Sequence, residues 1–187
     1  IASDAKGTGD AGPVRLRVAE RLVVDGVEDE RPSGVFSRTF GPARGASVAI
    51  DARRVELRNG GTIAASSTGT GDAGDVTVAV TDDLLARGGV ISTSAPLANG
   101  GNITLRAGDR IELHGSRVAA DVGSGRGGNV LLAPTTLLLL DGSAITAQAG
   151  SGQGGAIRIV ADAVVQALDA TVSASAGAAG IDGTVTF

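Results

Sequence analysis

The chain has 187 residues, a formal net charge of −4 and only three aromatic residues, all of them Phe. The acidic balance disfavours a nucleic-acid-binding protein, which usually presents a basic surface. The absence of cysteine excludes disulfides, thiol catalysis and cysteine-based zinc sites. No apolar run reaches the roughly 18 residues that a transmembrane helix needs.

The predicted elements repeat in chain order as a glycine-rich turn followed by three short strands. One apolar residue marks each strand, and equivalent residues recur every 27 to 29 residues, apart from a longer first interval. The third-strand series begins the chain and contains Ile1, Val35, Ile63, Ile91, Val118, Ile145 and Val172. The first-strand series contains Val14, Val48, Val76, Ile103, Val130, Ile157 and Val185. The second-strand series contains Leu22, Val55, Leu84, Ile111, Leu138 and Val165.

A glycine motif precedes several of the first strands. The stretch GSGRGG at Gly123–Gly128 fits the G-x-G-x-x-G pattern of dinucleotide-binding proteins, and related stretches begin at Gly7, Gly69 and Gly150. No amphipathic helix follows any copy, so the structural context for binding a pyrophosphate is missing. The motif is therefore interpreted as a turn that recurs once in each structural unit, and no cofactor is predicted.

Self-similarity at this period indicates a solenoid or a propeller. Three strands in 27 residues are too few for a propeller blade, which has four strands in about 40 residues or more. The sequence therefore predicts an all-β parallel β-helix of about seven partial or complete coils, as a single domain over residues 1–187. In the coil at 101–127, alternation predicts these inward residues: Ile103, Leu105, Ile111, Leu113, Val118 and Ala120. The outward residues would be Thr104, Glu112, His114 and Ala119.

Polar residues at one turn position are expected to interact along the solenoid axis. Asp75, Asn102 and Asn129 each precede a first strand in successive coils. Stacked amide and carboxylate side chains can form hydrogen bonds between neighbouring strands. We therefore expect a ladder of hydrogen bonds at this turn.

An insertion enlarges one corner of the repeat. The stretch at residues 25–34 holds six extra residues between a second and a third strand. Insertions in solenoids commonly become binding loops, so the candidates here are Val27, Glu28, Asp29, Glu30 and Arg31. The alternative is a tolerated surface loop without a ligand.

The leucine run at residues 135–142 predicts an exposed apolar patch. In the register given above, Leu138 and Leu140 face inward, which leaves Leu137 and Leu139 outside. Together with Val164, and with Leu85 two coils away, they would form a contact patch covered by another chain or segment. The alternative is a modest surface patch that has no partner.

The outward positions do not specify a catalytic or metal site. No two carboxylates are predicted to face each other as glycoside hydrolysis requires, and His114 is the only histidine. Asp82 and Asp83 form the densest acidic spot, where a solvated turn is favoured over a calcium site. No catalytic, cofactor-binding or metal-binding residue is predicted, and the expectation is that the protein is not an enzyme.

Several stretches resemble the filamentous haemagglutinin-type exoproteins of two-partner secretion, and cyanobacterial-style large surface proteins in particular. They include AGDVTVAV, GGNITLRAGDRIELHGSRVAA, PSGVFSRT at Pro32–Thr39 and the closing GIDGTVTF at Gly180–Phe187. The resemblance implies a right-handed β-helix, export through an outer-membrane transporter and a location at the cell surface or outside the cell. The secretion domain of that family is not seen. Because neither end carries a polar cap, we expect a segment of a longer repetitive chain.

The first functional expectation is a non-enzymatic, adhesin-like segment that acts as a stalk or a binding surface. Its partners would be the secretion transporter and a glycan or protein surface of a host or of the environment. One alternative is a β-helix enzyme that degrades polysaccharides. Another is a structural subunit of an extracellular assembly with lateral self-association.

Overall fold

The computed structural model describes residues 1–28 and 31–187 and confirms the predicted fold class. These residues form parallel sheets without a helix, in a β-solenoid of about six turns with a repeat of roughly 28 residues. No helix in these two ranges is long and apolar enough to cross a membrane. The strands are, in chain order, β1 (Ala2–Ala5), β2 (Val14–Asp25), β3 (Val27–Glu28), β4 (Arg31–Pro32), β5 (Gly34–Thr39), β6 (Val48–Arg58), β7 (Thr62–Ser67), β8 (Val76–Val80), β9 (Leu84–Arg87), β10 (Val90–Ala95), β11 (Ile103–Ala107), β12 (Arg110–His114), β13 (Arg117–Val122), β14 (Val130–Ala133), β15 (Thr136–Leu140), β16 (Ala144–Thr146), β17 (Ala156–Ile159), β18 (Ala163–Gln166), β19 (Thr171–Ser173) and β20 (Thr184–Thr186).

The coils present three outer faces. The third-strand face is one parallel sheet in the order β1-β5-β7-β10-β13-β16-β19. The first-strand face contains β8, β11, β14, β17 and β20, and the second-strand face contains β9, β12, β15 and β18. Because β2 and β6 run through both positions, they join these two faces into one eleven-stranded sheet.

The predicted stacking of the first and third strands is confirmed. Ile103 lies opposite Val76 on one side and Val130 on the other, and Val130 lies opposite Ile157. On the third-strand face, Ile91 pairs in the same way with Ile63 and Val118. At these positions each side chain therefore packs against an equivalent apolar side chain in the next coil.

The core consists of these inward side chains. All six residues predicted to face inward in the coil at 101–127 are fully buried: Ile103, Leu105, Ile111, Leu113, Val118 and Ala120. Ala119 faces outward as predicted, but it is only 5% exposed. It lies on the outer surface between Arg117 and Asp121, whose ion pair spans it at 2.6 Å.

The predicted orientation of the leucine run is wrong. Leu137 and Leu139 pair with Ile111 and Leu113 and are fully buried, whereas Leu138 and Leu140 face outward and are half-buried. The contact patch proposed from the sequence therefore does not exist. Of its other members, Leu85 faces outward on β9, whereas Val164 pairs with Leu137 in the inward row but is 39% exposed.

Two compensating changes in corner length explain this error. Three residues separate Arg106 from Arg110, but only two separate their partners Ala133 and Thr136. The missing residue is restored at the next corner, where three residues lie between Leu140 and Ala144 and two between His114 and Arg117. The coil length stays at 27 residues while the second strand shifts by one, and a shift of one residue reverses the direction of every side chain in a strand.

The insertion at residues 25–34 forms a small antiparallel ladder. Its strands β3 and β4 pair Val27 with Pro32 and Glu28 with Arg31. Asp29 and Glu30 lie outside the described residues. The proposed binding loop therefore stays a prediction.

Candidate functional site

The second-strand face carries a connected row of ion pairs centred on Asp83. This carboxylate is only 3% exposed. The Nη2 atom of Arg54 lies 2.7 Å from its Oδ2 atom, and the Nε atom of Arg110 lies 3.5 Å from its Oδ1 atom. The same Nε atom lies 3.5 Å from an oxygen of Glu112, so Arg110 links two carboxylates of neighbouring coils.

A second buried carboxylate on this face is neutralised in the same way. Glu56 is 6% exposed and lies between Arg21, at 3.4 Å, and Arg58, which also forms an ion pair with it. A buried charge without a partner is strongly destabilising, which explains why each carboxylate has two guanidinium neighbours. The arginines beside these buried carboxylates are therefore all engaged in ion pairs.

The arrangement corrects the sequence interpretation of the acidic pair. Asp82 forms an ion pair with Arg53 at 2.8 Å, while Asp83 pairs with Arg54 on the neighbouring coil. In the part of the chain that the structure describes, no three His, Asp or Glu side chains form a group that could hold a metal ion. The ion pairs provide a structural role for both carboxylates.

The structure also brings together carboxylates that the sequence pattern had not paired. Asp83 and Glu112 flank the same guanidinium group. Glycoside hydrolysis uses two carboxyl groups on either side of the scissile bond. Here Asp83 lies beneath arginine side chains instead of facing solvent, which favours a structural network over a catalytic pair.

His114 lies at the end of β12 between two carboxylates. Its Nε2 atom is 2.6 Å from Glu112 on the same strand, and its Nδ1 atom is 2.7 Å from Asp141 in the next coil. The hydrogen bond with Asp141 raises the pKa of His114 above its ordinary value, partial burial opposes this, and Glu112 raises the pKa further. The sequence placed His114 beside Glu112 but missed Asp141, which follows it by one coil length of 27 residues.

The predicted polar ladder is present at the turn before the first strands. The Oδ1 atom of Asp75 accepts hydrogen bonds from the backbone and side-chain nitrogens of Asn102 at 2.7 and 3.1 Å. Asn102 accepts in turn from Asn129 at 3.0 Å, and Asn129 accepts from the backbone of Ala156 at 2.9 Å. The side-chain acceptors thus connect four successive coils where the chain turns.

The first-strand face differs from the second-strand face because its arginines are not held in ion pairs. Arg15, Arg17, Arg106 and Arg158 are exposed, and none forms an ion pair with a residue in the described ranges. Two carboxylates border these arginines: Asp75 accepts the hydrogen bonds of the turn ladder, and the exposed Asp51 lies opposite Arg17 on β6. The guanidinium groups of Arg15, Arg106 and Arg158 have no carboxylate opposite them on a paired strand, so they are available to an external partner.

Two open grooves border the turn ladder and share Asn102 and Asn129. One has a volume of about 380 Å³ and includes Arg126, and the other has a volume of about 540 Å³ and includes Arg158. Amide, backbone and guanidinium groups line both grooves, and Leu131 adds an apolar surface to the second. Such a mixture suits an extended polar chain lying along the solenoid axis.

Comparison of the chain with protein-family models, with curated proteins and with solved structures finds no match.

Proposed function

We propose that this chain is a non-enzymatic, adhesin-like β-solenoid segment that acts as a stalk and a binding surface outside the cell. The observation that carries the proposal is the contrast between two faces. The second-strand face holds its arginines in ion pairs, whereas the first-strand face keeps four arginines outside ion pairs. The resemblance in sequence adds the secreted or cell-surface location and the outer-membrane transporter to the proposal.

The stalk role follows from how the coils are connected. Each strand forms hydrogen bonds with the equivalent strands of the neighbouring coils, so the backbone hydrogen bonds between coils run along one axis. Side-chain ladders such as Asp75–Asn102–Asn129 add to the backbone hydrogen bonds between coils at the corners. An in-register stack of this kind forms a rigid rod.

The first-strand face is the proposed contact surface, and its partner is an acidic polysaccharide. Strands in a sheet are spaced by about 4.8 Å, so Arg106 and Arg158, two coils apart, are separated by about 10 Å along the axis. Guanidinium groups bind carboxylate and sulfate oxygens through paired hydrogen bonds. The neighbouring threonine hydroxyls can bind the hydroxyl groups of a sugar chain.

Binding to immobilised polysaccharides tests this proposal. Polygalacturonate and dextran sulfate represent the acidic class, and unmodified dextran is the neutral control. We expect the protein to bind the acidic polymers, with an affinity that falls as salt concentration rises. The double variant Arg106→Gln, Arg158→Gln should lower the affinity at least fivefold.

A matched variant separates a specific surface from net charge. Arg53→Gln with Arg117→Gln removes the same charge from two arginines that are already paired with Asp82 and Asp121. This control should bind almost as tightly as the wild type. Equal losses in the two double variants, or no preference for acidic polymers, would overturn the proposed surface.

The enzymatic alternative has one observation in its favour, the position of Asp83 and Glu112 on either side of Arg110. Incubation with acidic and neutral glycans, followed by measurement of new reducing ends and of unsaturated products, distinguishes the two functions. Turnover that disappears in Glu112→Gln would establish an enzyme. We expect no turnover.

A further inference from the structure

The contacts of His114 fix the protonation state that its ring needs. Both ring nitrogens lie within hydrogen-bond distance of carboxylate oxygens, of Glu112 on one side and of Asp141 on the other. A neutral imidazole has one N–H donor, and its second nitrogen is an acceptor. An ionised carboxylate only accepts, so a neutral ring would leave two acceptors facing each other. Only the imidazolium ion donates to both partners.

The Asp141 contact crosses from one coil to the next at a corner. His114 ends β12, and Asp141 follows β15 of the next coil with a backbone φ of 55°. Gly88 and Gly115 occupy the equivalent corner positions of the two preceding coils, with φ values of 65° and 52°. This left-handed backbone directs the Asp141 side chain back toward His114.

A second corner contains the same contact without a histidine. Asn59 has a φ of 50° and occupies the corner position equivalent to Gly88. Its Nδ2 atom donates to Asp25 of the preceding coil at 2.8 Å. Asn59 and Asp141 are the two non-glycine residues at this corner position. Each forms a hydrogen bond with the last residue before the corner of the preceding coil, Asp25 and His114 respectively. The donor at the Asn59 corner is an amide, which does not titrate.

Charges of both signs surround His114, and Arg87 lies directly opposite it on β9. Its own strand contributes Glu112, together with Arg110, which is bonded to that carboxylate. On one side β9 contributes Arg87, which also contacts Glu112 at 3.3 Å. On the other side lie Leu140 and Asp141. Two carboxylates contact the ring directly, whereas the arginines contact Glu112.

We propose that His114, as an imidazolium ion, is a proton-dependent clasp between two adjacent coils, which opens as pH rises. Loss of the proton breaks one of the two hydrogen bonds, and the more exposed partner, Asp141, is the one released. Coils in a solenoid are stabilised mainly by their neighbours, so an opened corner loosens the coils that follow. The proposal goes beyond the binding function and does not depend on it.

The sign of the effect follows from the direction of the pKa change. The pKa of His114 is raised in the folded protein relative to its ordinary value of 6.5. The folded state therefore binds the proton more tightly, and the clasp contributes its full stability below about pH 6.5. That contribution is lost as pH rises through the raised pKa.

Nuclear magnetic resonance of the ring tests the clasp without ambiguity of assignment, since the chain has a single histidine. At pH 6.5 more than half of the rings should carry protons on both nitrogens in the ¹⁵N spectrum, and the titration midpoint should lie above 6.5. Asp141→Gly keeps the left-handed corner and removes the carboxylate, so it should lower the midpoint. Asn59→Gly removes the equivalent contact at the other corner and should leave the midpoint unchanged.

Amide hydrogen exchange measures the structural consequence. The Gly115 amide donates to the Leu140 carbonyl across this corner. Its protection, relative to the intrinsic exchange rate, should fall between pH 6 and pH 9 in the wild type and stay constant in His114→Gln. A midpoint at or below 6.5, a midpoint unaffected by Asp141→Gly, or protection that does not change with pH would each overturn the proposal.

Discussion

Leu137 lies opposite Ile111 on the neighbouring strand, and both side chains are fully buried in the core of the solenoid. The pair shows how the register passes from coil to coil. Each inward side chain packs against the equivalent side chain of the next coil, and the corner lengths adjust to keep that contact. The stacking of apolar residues between coils therefore determines which residues face inward. Counting residues from the last turn does not predict it.

Leu137→Ser is expected to destabilise the protein strongly. Truncating a buried leucine to a small side chain costs roughly 2–5 kcal/mol, and the serine hydroxyl adds a polar group without a partner. Leu138→Ser changes the adjacent, outward-facing residue and should cost about 1 kcal/mol or less. Because the chain has no Trp or Tyr, urea unfolding is best followed by circular dichroism. A larger loss in Leu138→Ser would restore the register predicted from the sequence.

Val130→Asp tests the first-strand stack in the same way. Val130 is 1% exposed and lies between Ile103 and Ile157. A buried carboxylate with no basic partner costs several kcal/mol, so we expect the variant to melt far below the wild type. Leu131→Asp places the same charge on the outer side of the same strand and should melt close to the wild type. Equal melting temperatures for the two variants would contradict the assigned faces.

The sequence was sufficient to predict the stacking of the first and third strands, because in-register parallel pairing makes their spacing nearly constant. Val130 and Ile91 were placed correctly for this reason. The second strand was misplaced after Leu113, because one corner loses a residue and the next regains it. A period counted between first strands does not detect such paired changes.

The candidate site was less predictable than the fold. The outward direction of Arg54 and Glu112 follows from strand alternation, but their ion pairs depend on how long side chains cross between coils. The contact between His114 and Asp141 depends in addition on a left-handed corner. Stacking residues at the 27-residue period would have revealed that these two residues are neighbours, although not that they form a hydrogen bond.

The glycines of the repeated turn are predicted to differ in importance between coils. Gly152 and Gly9 occupy equivalent positions in two copies of the motif. A Cβ atom at Gly152 would collide with the carbonyl oxygen of Gly125 in the preceding coil, whereas one at Gly9 would meet no atom within 4 Å. Gly152→Ala should lose about 1–3 kcal/mol of stability in urea unfolding, as overpacking does, and Gly9→Ala should lose little. Equal effects would show that the turn glycines do not serve close packing of the coils.

The same interpretation predicts that the motif does not bind nucleotides. A ligand that binds only the folded state raises its stability as its concentration exceeds the dissociation constant. Millimolar NAD or ATP should therefore leave the melting temperature unchanged. A saturable increase that disappears in Gly125→Val would revive the dinucleotide-binding hypothesis, since Gly125 has a φ of 102° in this turn.

The ion pair between Asp4 and Arg38 predicts a loss of stability in acid. Two hydrogen bonds of 2.9 Å join the guanidinium to both carboxylate oxygens, and the Arg38 guanidinium also lies 5.1 Å from the centre of the Phe36 ring. The side-chain hydrogen bond from Arg38 lowers the pKa of Asp4 below its ordinary value of 3.8, although desolvation opposes it. The folded state therefore holds this proton less tightly than the unfolded state, and the stabilisation is present above about pH 4.

That stabilisation should disappear as pH falls through the lowered pKa of Asp4. Both side chains are partly exposed, so the pair is expected to contribute about 1 kcal/mol or less. Urea unfolding from pH 6 down to pH 2 should show Asp4→Asn less stable than the wild type at the upper end and equal to it at the lower end. Asp51→Asn removes an exposed carboxylate that has no ion pair with any described residue, and it should leave the acid dependence of the wild type intact. If Asp4→Asn loses as much stability on acidification as the wild type, other carboxylates control the acid limit of the fold.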